Sequence, residues 1–115
     1  MRFPGGSDNT VSKKYCSGIM TKLTNQVKIK GYAYFDWNVD SGDASGNNVS
    51  YRKIVNNVLN QAKSKNSICV LMHDTAAKST TVTALPYILD GLKKQGYKFE
   101  VLTDKTYGYH HRVNN

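Results

Sequence analysis

Ile68-Cys69-Val70-Leu71-Met72-His73-Asp74-Thr75 is a run of five apolar side chains followed by an imidazole, a carboxylate and a hydroxyl. A short, unbroken apolar run bounded by polar residues describes a strand covered on both faces, as in parallel α/β sheets. A strand that stops on a histidine sets that ring on the rim of the sheet, where α/β proteins gather their chemistry.

The flanks of this run repeat one pattern. Upstream, Ser50 stands as a helix cap before Ile54, Val55, Val58, Leu59 and Ala62, which form one apolar face. Before that helix, Tyr32-Ala33-Tyr34-Phe35 predicts a strand over about 32–37. Earlier still, Tyr15, Ile19, Leu23 and Val27 recur every fourth residue and predict a helix over about 12–28, ending near Gly31. Downstream, Val82, Leu85, Leu89 and Leu92 predict a helix over about 80–95, with Pro86 near its start and Gly96 to stop it. A last strand is expected over about 97–102. Strand centres about 30–36 residues apart suit strand-helix-strand units with parallel strands, so the expected class is α/β, parallel strands alternating with helices.

A chain of 115 residues makes one small domain. No apolar run approaches the roughly 20 residues of a membrane-spanning helix, so no membrane span is expected, and Met1 is followed by an arginine and a turn instead of a secretion signal. The net charge of +8 invites an anionic partner, but 13 of the 16 basic residues are lysines spread along every predicted helix. Nucleic-acid surfaces favour arginine clusters and aromatic platforms, so solvated helix faces are the expectation and no nucleic-acid partner is assigned. Cys16 and Cys69 read as small core residues without a metal-ligand spacing. The tail 106–115 lacks periodicity and is expected to fray; its His110-His111 pair has no third ligand nearby.

Parallel strands point the same way, which puts Asp43, after one strand, on the same rim as His73, after the next. A carboxylate that accepts from one imidazole nitrogen fixes the tautomer and leaves the other nitrogen to give or take a proton. The plainer alternatives are a core histidine bonded to a backbone carbonyl, and Asp40 and Asp43 as turn formers around Gly42. Asp36, Asn38 and Asp40 alternate as in a calcium loop, but the glycine is displaced and Asn47 stands where a bidentate glutamate is needed.

Three ordered stretches carry a resemblance: Arg2-Phe3-Pro4-Gly5-Gly6-Ser7, Tyr34-Phe35-Asp36-Trp37-Asn38-Val39-Asp40-Ser41-Gly42-Asp43-Ala44, and Ile68 to Thr75. They resemble the third, fourth and fifth motifs of the polysaccharide deacetylases, the NodB-homology group or carbohydrate esterase family 4, and Gly96-Tyr97-Lys98-Phe99 resembles that family's last strand. The resemblance covers residues 1–105, leaving 106–115 as a tail. It implies the C-terminal half of a distorted (β/α) barrel and a metal-dependent hydrolase acting on a C–N bond other than a peptide bond, removing the acetyl group of N-acetylglucosamine-type sugars in peptidoglycan or a chitin-like polymer.

By the same resemblance His73 is the general acid that protonates the leaving amine, and Asp43 holds and tunes it. Arg2 orients a catalytic-base aspartate from an earlier motif, Leu71 lines the pocket for the acetyl methyl group, and Trp37 is a core residue. The family's first two motifs, a Thr-Phe-Asp-Asp-Gly type sequence and a His-x-x-x-His pair, are absent from this sequence. The implied divalent metal, zinc or similar, therefore has its ligands outside these residues. Ala44 replaces a tryptophan that lines the groove in many members. The implied partners are the polysaccharide and either the missing N-terminal half of the domain or a second copy, and the implied location is extracellular or at the cell wall. The chain is expected to be inactive alone. A non-catalytic α/β module for wall polymers and an inactive truncated remnant are the alternatives.

Overall fold

The computed structural model describes residues 1–115. They form a mixed α/β structure in two compact units, one of residues Met1–Trp37 with Val101–Asn115 and one of residues Asn38–Glu100.

The Asn38–Glu100 unit is the strand-helix-strand arrangement foreseen around Ile68 to Thr75. Strand β1 (Val39–Asp40) pairs in parallel with β2 (Val70–Leu71), Val39 facing Val70 and Asp40 facing Leu71. Helix α2 (Tyr51–Ala62) joins them. Its inward face is the one its spacing predicts: Ile54, Val58 and Ala62 are buried, with Val55 and Leu59 packed beside them. Ser50 stands at the N-cap but lends its carbonyl, not its hydroxyl, which makes no capping bond. Helix α3 (Ser79–Lys94) lays Ala84, Ile88 and Leu92 against that face. Gly91 allows the close approach, since a Cβ there would lie 2.5 Å from Leu59 Cδ1. At its C-terminus Gly96, at φ +90°, turns the chain so that Tyr97 N–H returns to Leu92 O at 3.0 Å.

Several expectations are corrected. The buried stripe of α3 is Thr81, Ala84, Ile88 and Leu92, leaving Val82 and Leu85 exposed. The spacing was right but the stripe is rotated, because small Ala84 and polar Thr81 face inward. The run 68–72 has two residues in the ladder and is half-buried, not covered on both faces. Residues 97–102 form no strand, and Phe99, Val101 and Leu102 are exposed.

In the other unit the helix expected over 12–28 is broken in two. A 3-10 turn over Val11–Lys14 is followed by α1 (Ile19–Ile29), because Gly18 between them takes a left-handed conformation at φ +75°. The break leaves Tyr15 and Cys16 exposed, so Cys16 is not a core residue; Cys69 is half-buried, and the two cysteines form no disulfide. Met20 packs with Phe3 and Tyr34, flanked by Ile19, Val27 and Val113. Residues 32–37 form no strand, although Tyr34, Phe35 and Asp36 are buried.

The segment 106–115 does not fray. Two unmet hydrogen-bonding needs hold it. With glycine at its N-cap, α1 has N–H groups to satisfy. Asn115 meets them, accepting Gly18 N–H on Oδ1 at 2.9 Å and Thr21 N–H on its backbone oxygen at 2.7 Å. Asp36, 1% exposed, needs donors for its charge. Ser7 N–H (2.8 Å), Ser7 Oγ (2.5 Å) and His111 N–H (2.9 Å) supply them. His110 stacks on Tyr34 at 4.1 Å, and the His111 ring bonds Asp8 Oδ1 (3.0 Å) and Trp37 O (2.7 Å).

Candidate active site

Asp43 and His73 meet. The Asp43 carboxylate is 1% exposed; its Oδ1 lies 2.7 Å from His73 Nδ1, and its Oδ2 accepts His73 N–H at 2.7 Å. Thr81 Oγ1 donates to the same Oδ2 at 3.0 Å. The plainer readings give way here: His73 Nδ1 is bound by a carboxylate, not by a backbone carbonyl. Turn formation falls to Asp40 alone, whose Oδ1 accepts Gly42 N–H at 2.8 Å.

The chain folds this way locally because α2 anchors the loop after β1. Gln61 Nε2 donates to Asp40 O at 2.7 Å and Asn57 Nδ2 to Ser41 O at 2.9 Å. Gly42 takes φ +71°, and a Cβ there would lie 2.6 Å from Asn57 Nδ2, so this turn requires glycine. Ser41 Oγ then accepts Asp43 N–H at 3.3 Å, and the 3-10 turn Asp43–Ser45 aims the carboxylate at the end of β2. Lys78 Nζ closes the turn from the other side, donating to Asp43 O at 2.7 Å and Gly46 O at 2.6 Å.

Burial alone would raise the pKa of Asp43. The bonds from the His73 ring, His73 N–H and Thr81, with the pull of the imidazole, outweigh it and hold the carboxyl below its ordinary value. Asp43 is therefore an anion at neutral pH that binds the Nδ1–H tautomer of His73. Nε2 is the remaining ring nitrogen, and the ring is 29% exposed beside an open groove of about 340 Å³. Met72, Thr81, Val82 and Leu85 line that groove with His73 and Asp74. An imidazole with one nitrogen held by a buried carboxylate and the ring open to a groove can deliver or accept a proton there.

Leu71 is half-buried in β2, and its carbonyl accepts Ser41 N–H at 3.2 Å. Arg2 belongs to the other unit. It is exposed, with its guanidinium carbon 5.8 Å from the Trp37 ring centre, and Trp37 is half-buried with His111 at its edge. Thr81 and Lys78 escaped the sequence reading because a threonine and a lysine in a helical stretch carry no signal of their own. Across the chain no group of three or more His, Cys, Asp or Glu side chains is arranged to hold a metal ion. These residues do not fit a metal centre by themselves.

No family model matches the chain. It is 35% identical over 94 residues to the peptidoglycan-N-acetylglucosamine deacetylase of Bacillus cereus, covering 78% of this chain and 33% of that protein. It is 38% identical over 78 residues to the putative polysaccharide deacetylase YheN of Bacillus subtilis, covering 64% of this chain and 26% of that one. Among solved structures, the catalytic domain of peptidoglycan N-acetylglucosamine deacetylase from Eubacterium rectale matches with a TM-score of 0.93 and 48% identity, over 100% of this chain and 51% of that chain. The polysaccharide deacetylase Bc1974 from Bacillus cereus matches with a TM-score of 0.71 and 31% identity, over 88% and 50%. The chain thus spans about half of the solved domains and a third or less of these two curated relatives. In sequence and in fold alike, this chain is a relative of the polysaccharide deacetylases and corresponds to part of their catalytic domain.

Proposed function

We propose that this chain carries the proton-donating side of a polysaccharide deacetylase, acting on the N-acetyl amide of N-acetylglucosamine-type sugars in peptidoglycan or a related polymer at or outside the cell wall. The observation that carries the reading is the 2.7 Å contact between the buried Asp43 carboxylate and His73 Nδ1, with the imidazole open to a groove. Amide cleavage needs an acid, because an amide nitrogen leaves as an amine only after it has been protonated. His73, charged and held through Nδ1, delivers that proton from Nε2. Asp43 fixes the ring and stabilises the imidazolium. Leu71 faces the acetyl methyl group, and Arg2 orients the carboxylate that serves as base.

In this reading residues 1–105 are one half of a distorted (β/α) barrel and 106–115 its terminal segment. A divalent metal, zinc or similar, belongs to this reading, held by residues outside this chain, in which no group of three or more His, Cys, Asp or Glu side chains could hold one.

The test is a hybrid catalytic domain in which these 115 residues replace the matching half of the Eubacterium rectale domain. It should release acetate from N-acetylglucosamine oligomers, and His73→Ala should lower the rate about 10²- to 10⁴-fold. A hybrid that works equally well without His73 overturns the assignment. Acetate release by the 115-residue chain alone, with divalent metal added, would overturn the division of the site between two halves.

A further inference from the structure

The start of α3 sends two side chains to Asp43 that belong to none of the deacetylase-like stretches. We propose that Thr81 and Lys78 are positioning residues for the Asp43–His73 pair: Thr81 fixes the plane of the carboxylate and Lys78 fixes the turn that presents it. The proposal rests on the reading of His73 as proton donor.

Thr81 behaves unlike the threonine beside it on the same helix. A helical threonine usually returns its hydroxyl to a carbonyl one turn back, as Thr83 does to Ser79 O at 3.2 Å. Thr81 is buried and gives its hydroxyl to Asp43 Oδ2 at 3.0 Å. His73 already holds both oxygens, its N–H on Oδ2 and its ring on Oδ1, and Thr81 adds a second donor to Oδ2 from another element, which resists the rotation about Cβ–Cγ that would draw Oδ1 out of line. With His73 N–H and Thr81 both on Oδ2, that oxygen is pinned, and Oδ1 is left in line with His73 Nδ1.

Lys78 acts on the backbone. Of the 13 lysines, all but Lys65 and Lys78 are exposed. Lys78 Nζ bonds the carbonyls of Asp43 and Gly46, which bracket the 3-10 turn Asp43–Ser45. One ammonium thus ties both ends of the turn to the start of α3. That helix, with Lys78 at its N-cap, also supplies Val82 and Leu85 to the groove wall, so the wall and the orientation of the acid share one stretch of chain.

The test reads the proton, not turnover. Ring 15N shifts of His73 in the 115-residue chain, above the pH at which the ring is neutral, give the ratio of Nδ1–H to Nε2–H tautomers. Thr81→Val and Lys78→Met should each lower that ratio about three- to tenfold, up to the equivalent of one weakened charge-assisted bond. Thr81→Ser, which keeps the hydroxyl, should leave it unchanged. Variants that melt earlier but hold the wild-type ratio would show a merely structural role and overturn the proposal. Should Thr81→Val fail to fold, Thr81→Ala carries the same test. Failure of the functional reading looks different: the tautomer ratio responds to Thr81, yet the hybrid domain releases acetate without His73.

Discussion

Replacing Asp43 by asparagine should move a proton across the His73 ring. Three donors converge on two oxygens: His73 N–H and Thr81 Oγ1 on Oδ2, His73 Nδ1 on Oδ1. An amide has one oxygen to offer. Placed at the Oδ2 position, it keeps two of the three donors satisfied and sets its NH₂ opposite Nδ1. Two N–H groups cannot face each other, so Nδ1 must become the acceptor and the proton must sit on Nε2. The two retained bonds lose their charge assistance, at about 1 kcal/mol each, so the variant should be less stable by roughly 2 kcal/mol. For a chain of this size that is a fall in melting temperature of about 8 °C. The comparable exchange in a Ser-His-Asp triad lowers kcat about 10⁴-fold through the wrong tautomer, and a loss on that scale is expected in the hybrid domain. The assay is a long-range 1H–15N correlation spectrum of the neutral ring, with His110 and His111 identified by single substitutions. Wild type should show Nδ1–H and the variant Nε2–H. A variant that still carries its proton on Nδ1 would refute the assignment of the Asp43–His73 bond.

Stability should fall on both sides of a middle pH range. His111 is pushed down by burial but more strongly up by Asp8, Trp37 O and Asp36, so its folded pKa lies above its usual 6.5. Its contribution is full below about pH 6.5 and lost as pH rises through the folded value. Asp36 and Asp43 are raised by burial but lowered further by their donors, to below the usual 3.8, so their contribution is full above about pH 3.8 and lost as pH falls through the folded values. Melts across pH 3–9 check this, and His111→Asn should flatten the alkaline limb and also weaken the acid limb, through the lost pull of the imidazole on Asp36. Gly42→Ala should cost about 1–3 kcal/mol through its positive φ and the close Asn57 amide, in denaturant titrations. Ile54→Ala, at a fully buried position facing α3, should cost about 2–5 kcal/mol in the same titrations; a loss under about 1 would mean α2 does not pack there.

Much of the Asn38–Glu100 unit was legible because its evidence is local. Ile54, Val58 and Ala62 repeat at helical spacing, and Gly96 ends α3 as expected. The register of α3 was misread because counting large apolar side chains favours Val82 and Leu85, whereas burial went to Ala84 and to Thr81, whose hydroxyl has a carboxylate to meet. Residues 32–37 and 97–102 have strand-like composition, but a strand is a relation between two segments. Met1 donates to Ala33 O and accepts Phe35 N–H, and Asp36 N–H goes to Tyr109 O, but these contacts do not extend into an assigned strand. The Asp43–His73 pair was visible because parallel strands put successive loops on one rim. The tail was misjudged because its anchors, Asn115 under α1 and His111 N–H on Asp36, have no period.

The interleaved build of the two units sets an order of assembly. Asn38–Glu100 is continuous in sequence, whereas the unit holding Asp36 needs residues from both ends of the chain. Asp36 waits for His111, 75 positions later, and the N-terminus of α1 waits for Asn115, 97 positions after Gly18. During synthesis, the helical pair that frames His73 can close once Glu100 is made, before residues 101–115 are added. The other unit stays unfinished until His111 and Asn115 have been added, and until then the charge of Asp36 is short of one of its donors.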